Sequence, residues 1–437
     1  MAACHTVVQE GDAILLRCDK AYKPAVVTKG RHINISKQRV SLCDLIGYNY
    51  GTSLKLHNNK LSPMDSPSIK TNDSTAAGRD NRHISDDRSS QLLSQSDIIT
   101  MKGKGVDGEE IVESVVKNST SFSERNEFSQ EKYVKRKQRK HVTIVTVVRP
   151  STRLLCHMYY NKGPSRICQL RIDSISQLIT MANVRAGSRI IAMETCQGLL
   201  LGTILERMGG VSDNGVLIGC SYHHLGNGLL LQLFTGDLPV RKALDYYGSV
   251  LSEKDRSILE EYPLRRINQV SLMGECNQSE CVVDNDDITR GMSSSSSDEE
   301  PSAKRTKTTR RVLSEDKEAI RLQRQAEREQ RYSLALGHLR EGGFDGLVIA
   351  TPHHPMPITM ATVTLLAPSR PFAIYHQFVE PLVTTYQSLK ESGLVFNLQL
   401  SDTMLRYYQV MSARTHPIVQ MSGTSGYLLT GTTIVKS

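Results

Sequence analysis

A chain of 437 residues with 39% hydrophobic and 23% charged residues has apolar material for two domains, which excludes a wholly disordered protein. Its net charge of +9 favours a polyanionic partner, and 5% aromatics with no tryptophan argue for contacts to phosphates and shape over base stacking. The nine cysteines (Cys4, Cys18, Cys43, Cys156, Cys168, Cys196, Cys220, Cys276, Cys281) lack paired spacing, which argues against a disulfide framework or a metal site, and no secretory signal or membrane-length apolar span is expected.

Short apolar runs broken by Gly, Pro and Asn open the chain: Asp12 to Arg17, Lys23 to Val27, Arg31 to Ile35 and Gly47 to Thr52. Strands this short predict a small N-terminal β-barrel over residues 1–105, carrying a polar flexible loop at 57–80. Order is expected to return at Asn81 to Asp87, with a helix from Gly108 to Lys117. A helical and basic connector then spans 106–170. Within it Lys132, Lys135, Arg136, Lys137, Arg139 and Lys140 form a cationic run with Tyr133 and His141 at its edges, just before an apolar strand from Val142 to Val148. Such a run is a solvated helix face, an import signal or a nucleic-acid contact. Lys162 to Arg166 is a second basic loop.

A doubly wound domain is predicted over 171–437. The turn Ala186-Gly187-Ser188 leads into a buried strand through Ile190, Ile191 and Ala192, and Leu199 to Met208 reads as a helix stopped by Gly209-Gly210. Strand, glycine loop, helix is a nucleotide-binding layout. A methyltransferase of this architecture would run acidic-x-Gly-x-Gly-x-Gly, so that nothing collides with S-adenosylmethionine. Here the register reads Glu194, Cys196, Gly198, Leu200, and two of the three glycines carry side chains. The following run, Gly215 to Cys220, ends without a carboxylate for a ribose, and Gly346 to Ile349 runs into Ala350 where a base-amine methylase would carry an acid. These losses predict no catalytic residue and no cofactor bound by this chain.

Residues 276–313 form a Ser-rich acidic insertion expected to be disordered, ending in the basic cluster Lys304-Arg305-Thr306-Lys307 and Arg310-Arg311. A charged helix follows from Ser314, the expected N-cap, to Leu339, with Arg321, Arg324, Arg328 and Arg331 along one face. The runs at Phe372 to Tyr375, Val395 to Leu398 and Gly426 to Leu429 complete the sheet, with turns at Arg370-Pro371 and His416-Pro417. His353-His354 lack nearby carboxylates and read as surface residues.

The strings Val147-Val148-Arg149-Pro150-Ser151-Thr152-Arg153, Asn183-Val184-Arg185-Ala186-Gly187, Met193-Glu194-Thr195-Cys196, Glu206-Arg207-Met208-Gly209-Gly210, Ala367-Pro368-Ser369-Arg370-Pro371-Phe372 and Tyr407-Tyr408-Gln409-Val410 resemble the non-catalytic subunit of the eukaryotic tRNA (adenine-N1)-methyltransferase. The resemblance spans the chain except 57–80 and 276–313. It implies an N-terminal β-barrel, a Rossmann-like methyltransferase domain, a nuclear two-plus-two heterotetramer with a homologous catalytic subunit, and S-adenosylmethionine held by that partner. It also implies tRNA-facing residues at Asn81, Arg82, His83, Arg88 and Gln91, along Lys132 to His141, at Lys162, Arg166 and on to Gln169, in the loop at Thr195 and Cys196, and at Arg321, Arg324 and Arg328. Gln138 interrupts the basic run, a departure from the family's denser lysine tract. An active methyltransferase and a translation-initiation or scaffold factor remain as alternatives.

Overall fold

The computed structural model describes residues 6–19, 21–36, 38–64, 90–209, 228–248, 251, 253–270, 307–410, 414–419 and 425–435. The first body contains β1 (Ala13–Cys18), β2 (Ala21–Val26), β3 (His32–Ile35), β4 (Gln38–Ser41), β5 (Ser53–His57), β6 (Lys60–Pro63), helices α1 (Gln95–Gly103), α2 (Gly108–Lys117) and α3 (Glu127–His141), and β7 (Thr143–Val148). Its antiparallel sheet runs β2-β1-β7-β5-β6, and β3-β4 is a separate hairpin. A closed barrel is not shown: among the described residues the ladder ends at β2 and at β6. The strand β7, which the sequence reading places in the connector, is the middle strand of this sheet, paired with both β1 and β5.

Two local expectations change. Gly47 to Thr52 forms no named strand, only an isolated bridge from Asn49 to Val7. Asn58 and Asn59, read as part of a flexible loop, are instead the two-residue turn of the β5–β6 hairpin, with φ of 46° and 64°. Two consecutive positive φ values make the primed turn whose twist matches the flanking strands, and Asn tolerates that conformation.

The second body contains α4 (Thr152–Lys162), α5 (Ile172–Met181), β8 (Arg189–Glu194), α6 (Leu199–Met208), β9 (Leu229–Phe234), α7 (Glu253–Ser257), β10 (Leu259–Pro263), α8 (Lys307–Glu341), β11 (Gly346–Ala350), α9 (Pro355–Val363), β12 (Pro371–His376), α10 (Glu380–Ser392), β13 (Val395–Asp402), β14 (Tyr408–Gln409), β15 (His416–Pro417) and β16 (Tyr427–Thr433). Its sheet order is β10-β9-β8-β11-β12-β16-β13, with β16 antiparallel to both neighbours. This is the Rossmann-like methyltransferase sheet expected. Ile190, Ala192, Val348, Ala350, Ala373 and Tyr375 face one core with α4, α5 and α6. Ile191, Met193, Leu347, Ile349, Phe372 and Ile374 face the other with α8 and α10. Burial on both faces explains why these strands read as unbroken apolar runs.

The strand beside β8 is β9, which the sequence reading passes over, and the run expected there, Gly215 to Cys220, lies outside the described residues. Helix α8 begins at Lys307, so Ser314 lies inside it and is not its N-cap. Pro371 starts β12, and His416-Pro417 is a short strand paired with Tyr408-Gln409. The two bodies share β1: Ile14 and Leu16 enter the N-terminal core while Leu15, between them, enters the methyltransferase-like core.

Helix α6 is almost wholly buried and lies against Tyr247, whose hydroxyl is tied to Thr152 Oγ1 at 2.9 Å. A side chain at Gly202 would run into the Tyr247 ring. Alanine normally stabilises a helix interior by about 1 kcal/mol over glycine, but overpacking a rigid core costs about 1–3 kcal/mol. Gly202→Ala should therefore lower the thermal midpoint, and a rise would show that Tyr247 yields.

Candidate functional site

In a doubly wound sheet, ligands bind where the strand order reverses, outside the carboxyl ends of the strands. Here that point lies between β8 and β11. It is closed by the chain itself. The Thr195 amide donates to the Ala350 carbonyl at 3.2 Å as the last rung of the parallel β8–β11 ladder, and the Cys196 thiol reaches the same oxygen at 3.7 Å. Cys196 and Leu200 are fully buried at two of the positions where a cofactor loop would carry glycine. Gly198 keeps its glycine because its φ is +84° and because a Cβ there would lie 2.9 Å from the Arg241 Cα.

The segment pressed onto the loop is anchored from below. The Ala243 amide donates to the Gln197 carbonyl at 2.8 Å. Arg241 is held by Gln232 Oε1 and by Glu261 at 3.1 Å, and Arg331 on α8 reaches the other Glu261 oxygen at 3.2 Å. The loop amides of Cys196 and Gly198 donate to the Glu194 carboxyl at 2.9 and 2.8 Å and are not free for a ligand. These residues do not fit a nucleoside cofactor. Beyond β9, Asp237 is the next carboxylate in the chain, but it points to solvent and meets Arg265 at 3.5 Å. At the end of β11, Ala350 supplies only its carbonyl to the closure.

The cationic run folds into α3, capped by the Asn126 side chain accepting from the Ser129 amide at 2.9 Å. Lys132, Lys135, Arg136, Arg139 and Lys140 are exposed and fall at i, i+3, i+4, i+7 and i+8, so they share one face. Lys135 pairs with Glu131 and Arg139 with Asp19, while Lys132, Arg136 and Lys140 have no ion pair among the described residues. Lys137 turns away to lie over the Tyr133 ring at 5.1 Å, and Gln138 is half-buried beside it, so the residue that breaks the run in sequence does not break the exposed stripe. Tyr133 donates to Gln91 Oε1 at 3.1 Å, which brings the end of the 81–91 segment onto this helix. Asn81, Arg82, His83 and Arg88 lie outside the described residues.

Lys162 and Arg166 form a second cationic cluster, joined by Lys23 of β2; burial first, then the charges of Arg166 and Lys23, push the Lys162 pKa down. Lys23 was invisible as a site residue in sequence because β2 reaches α4 only through the fold. Thr195 is half-buried, whereas Cys196 has no exposed surface to offer an RNA. On α8 the stripe divides: Arg321 and Arg324 are exposed and Arg328 half-exposed, but Arg331 is committed to Glu261.

A third surface is apolar. Strand β13 ends the sheet with Phe396 and Leu400 exposed, and the β14–β15 ribbon exposes Met404, Tyr408, Val410 and Val419, the last at 91%. Its two ends are tied to α5: Ser174 Oγ meets Thr403 Oγ1 at 3.0 Å and also contacts Ser425, and the buried Arg171 donates to the Thr403 carbonyl at 3.2 Å.

A profile of the Gcd10p family matches residues 7–318. The chain belongs to the Gcd10p family. It is 35% identical over 466 residues to the tRNA (adenine(58)-N(1))-methyltransferase non-catalytic subunit of Mus musculus, covering 98% of this chain and 89% of that one. The protein of the same name from Dictyostelium discoideum is 30% identical over 454 residues, covering 98% of this chain and 80% of its own. Among solved structures, the tRNA (m1A58) methyltransferase TrmI of Aquifex aeolicus aligns at TM-score 0.43 and 11% identity, over 98% of this chain and 99% of that one.

Beneath the closed loop of this Gcd10p-family chain, Glu194 is buried and its pKa is pushed up to about 8, mainly by desolvation. Unfolded glutamate releases its proton near 4.5, so between pH 4.5 and 8 the folded state binds more protons. The stabilisation is complete below 4.5 and lost as pH rises through about 8. Glu194→Gln should lack this fall, so thermal midpoints of the unmodified and variant chains should diverge across that window; parallel pH profiles would contradict it.

Proposed function

We propose that this chain is the non-catalytic, tRNA-binding subunit of a tRNA N1-adenine methyltransferase acting on the T-loop adenine. The observation that carries the reading is a complete methyltransferase-type sheet whose ligand crevice is filled by its own Cys196, Leu200 and Arg241 backbone. The names of its relatives as non-catalytic subunits agree with that closure.

The work divides physically. A homologous catalytic partner holds S-adenosylmethionine, which supplies the methyl group. This chain supplies charge: the unpaired Lys132, Arg136 and Lys140 of α3 and the Lys23, Lys162 and Arg166 cluster grip phosphates on either side of the base to be extruded. The exposed apolar edge of β13 and the β14–β15 ribbon offer the partner a sheet edge and side chains to cover, an arrangement suited to a two-plus-two heterotetramer. The basic cluster from Lys304 to Arg311 supports action in the nucleus.

The test is methyl transfer to a tRNA transcript by this chain, by its catalytic partner and by the two co-expressed. Activity confined to the mixture is expected, and activity of this chain alone would overturn the reading. Replacing Lys132, Arg136 and Lys140 by Ala in the complex should weaken tRNA binding and reduce the slope of log affinity against log salt by about 2–3. An unchanged slope would remove α3 from the RNA interface.

A further inference from the structure

Between the carboxyl end of β12 and the start of β16 lies an open cavity of about 300 Å³, on the same edge of the sheet as the closed crevice but outside it. Its walls include Gln169, Gln377, Phe378, Glu380, Ser425 and Tyr427. The volume sits at the small end of ligand sites, which run from about 300 to 1,000 Å³, so it suits one compact group.

The lining is built and not incidental. Cys168 and Gln169 are consecutive non-glycine residues with φ of 53° and 57°, a conformation that costs roughly 1–2 kcal/mol each and persists only where the surroundings impose it. The Gln169 amide donates to the Pro164 carbonyl at 2.7 Å, and the buried Tyr375 hydroxyl sits between the Cys168 carbonyl, at 2.9 Å, and the Ser425 carbonyl. On the opposite wall His376 Nδ1 accepts from the Phe378 amide at 3.0 Å, and its Nε2 faces the Pro352 carbonyl at 3.4 Å. That holds the turn on which Phe378 stands, 56% exposed.

The side-chain amides of Gln169 and Gln377 have no hydrogen-bond partner among the described residues, and both residues line this cavity. Two carboxamides offer donors and acceptors side by side, the Glu380 carboxylate adds an acceptor, and two aromatic rings, Phe378 and Tyr427, flank them. An anion is disfavoured, because the lining has a carboxylate and no cation. A planar, neutral heterocycle with an alternating hydrogen-bonding edge satisfies every group. Lys162 and Arg166 of the cation cluster adjoin it in the chain, since the 3-10 turn Pro164–Ile167 leads from Lys162 straight to Gln169.

We propose that this cavity receives one unstacked nucleobase of the bound tRNA, its edge read by Gln169 and Gln377 and its face covered by Phe378, while Lys162 and Arg166 hold the adjoining phosphates. This rests on the tRNA-binding reading above. No group-transfer chemistry is involved; the site is a second grip that fixes the register of the RNA relative to the partner's active site.

The experiment uses the full-length chain in complex with its catalytic partner and a tRNA transcript. Gln377→Leu combined with Phe378→Ala should weaken binding about tenfold, the range of a lost base stack, and leave the salt slope unchanged because no phosphate contact is removed. Gln169→Ala, at a separate position in the chain, should act in the same direction. With 4-thiouridine in the transcript, irradiation should crosslink the peptide containing Phe378. Affinities within about twofold of the unmodified complex in variants with an unchanged thermal midpoint, or crosslinks confined to α3 and α8, would overturn the inference while α3 substitutions still lower the salt slope. If the unmodified complex binds tRNA without salt dependence, the RNA-binding reading itself fails.

Discussion

The Arg241 backbone lies against Gly198 and the Ala243 amide donates to the Gln197 carbonyl, so a segment of the chain itself is pressed onto the loop at the carboxyl end of β8, where a doubly wound sheet opens its ligand crevice. Most of the site's character follows from that contact. Around it Cys196 and Leu200 are buried, and Glu194 is left in a dry interior. A carboxyl sealed in this way is held in its neutral form well above the usual carboxylate range. The enclosure of this loop therefore leaves its trace in the stability of the chain.

Away from that loop, the outer surfaces carry charge and exposed apolar side chains. The cations of α3 are laid out by helical periodicity on one exposed face, where Lys132, Arg136 and Lys140 have no ion pair among the described residues, and Tyr133 uses Lys137 and Gln91 to fix that helix in place. Strand β1, buried on both faces through Ile14, Leu15 and Leu16, ties the N-terminal sheet to the methyltransferase-like core. The surface near β2 and α4 thereby becomes one continuous part of the site, with Lys23 beside Lys162.

Local signals were legible in the sequence wherever a backbone requirement is written in a residue type. The bounds of α6 follow from Gly198 and Gly209, and those of α2 from Asp107 and the apolar spacing of Ile111, Val112 and Val115. The spoiled positions Cys196 and Leu200 were readable because side chains there have only one place to go. Non-local facts were not. Strand β7 looks like the end of a connector until its pairing with β1 and β5 is seen, and Arg331 looks like a fourth member of a free stripe until Glu261 claims it. Strand β9 escaped because an earlier apolar run, Gly215 to Cys220, offered itself first. Gln169 carries no signal in sequence as a cavity wall, since its placement depends on positive φ values that glutamine rarely adopts.

The most direct measurement is a calorimetric titration of S-adenosylmethionine into the full-length chain alone and into its complex with the catalytic partner. The closed crevice predicts no binding to the chain alone and one site per pair of unlike subunits in the complex. Saturable binding to the chain alone would mean that the Arg241–Ala243 segment moves off the loop to admit a cofactor, and would contradict the account.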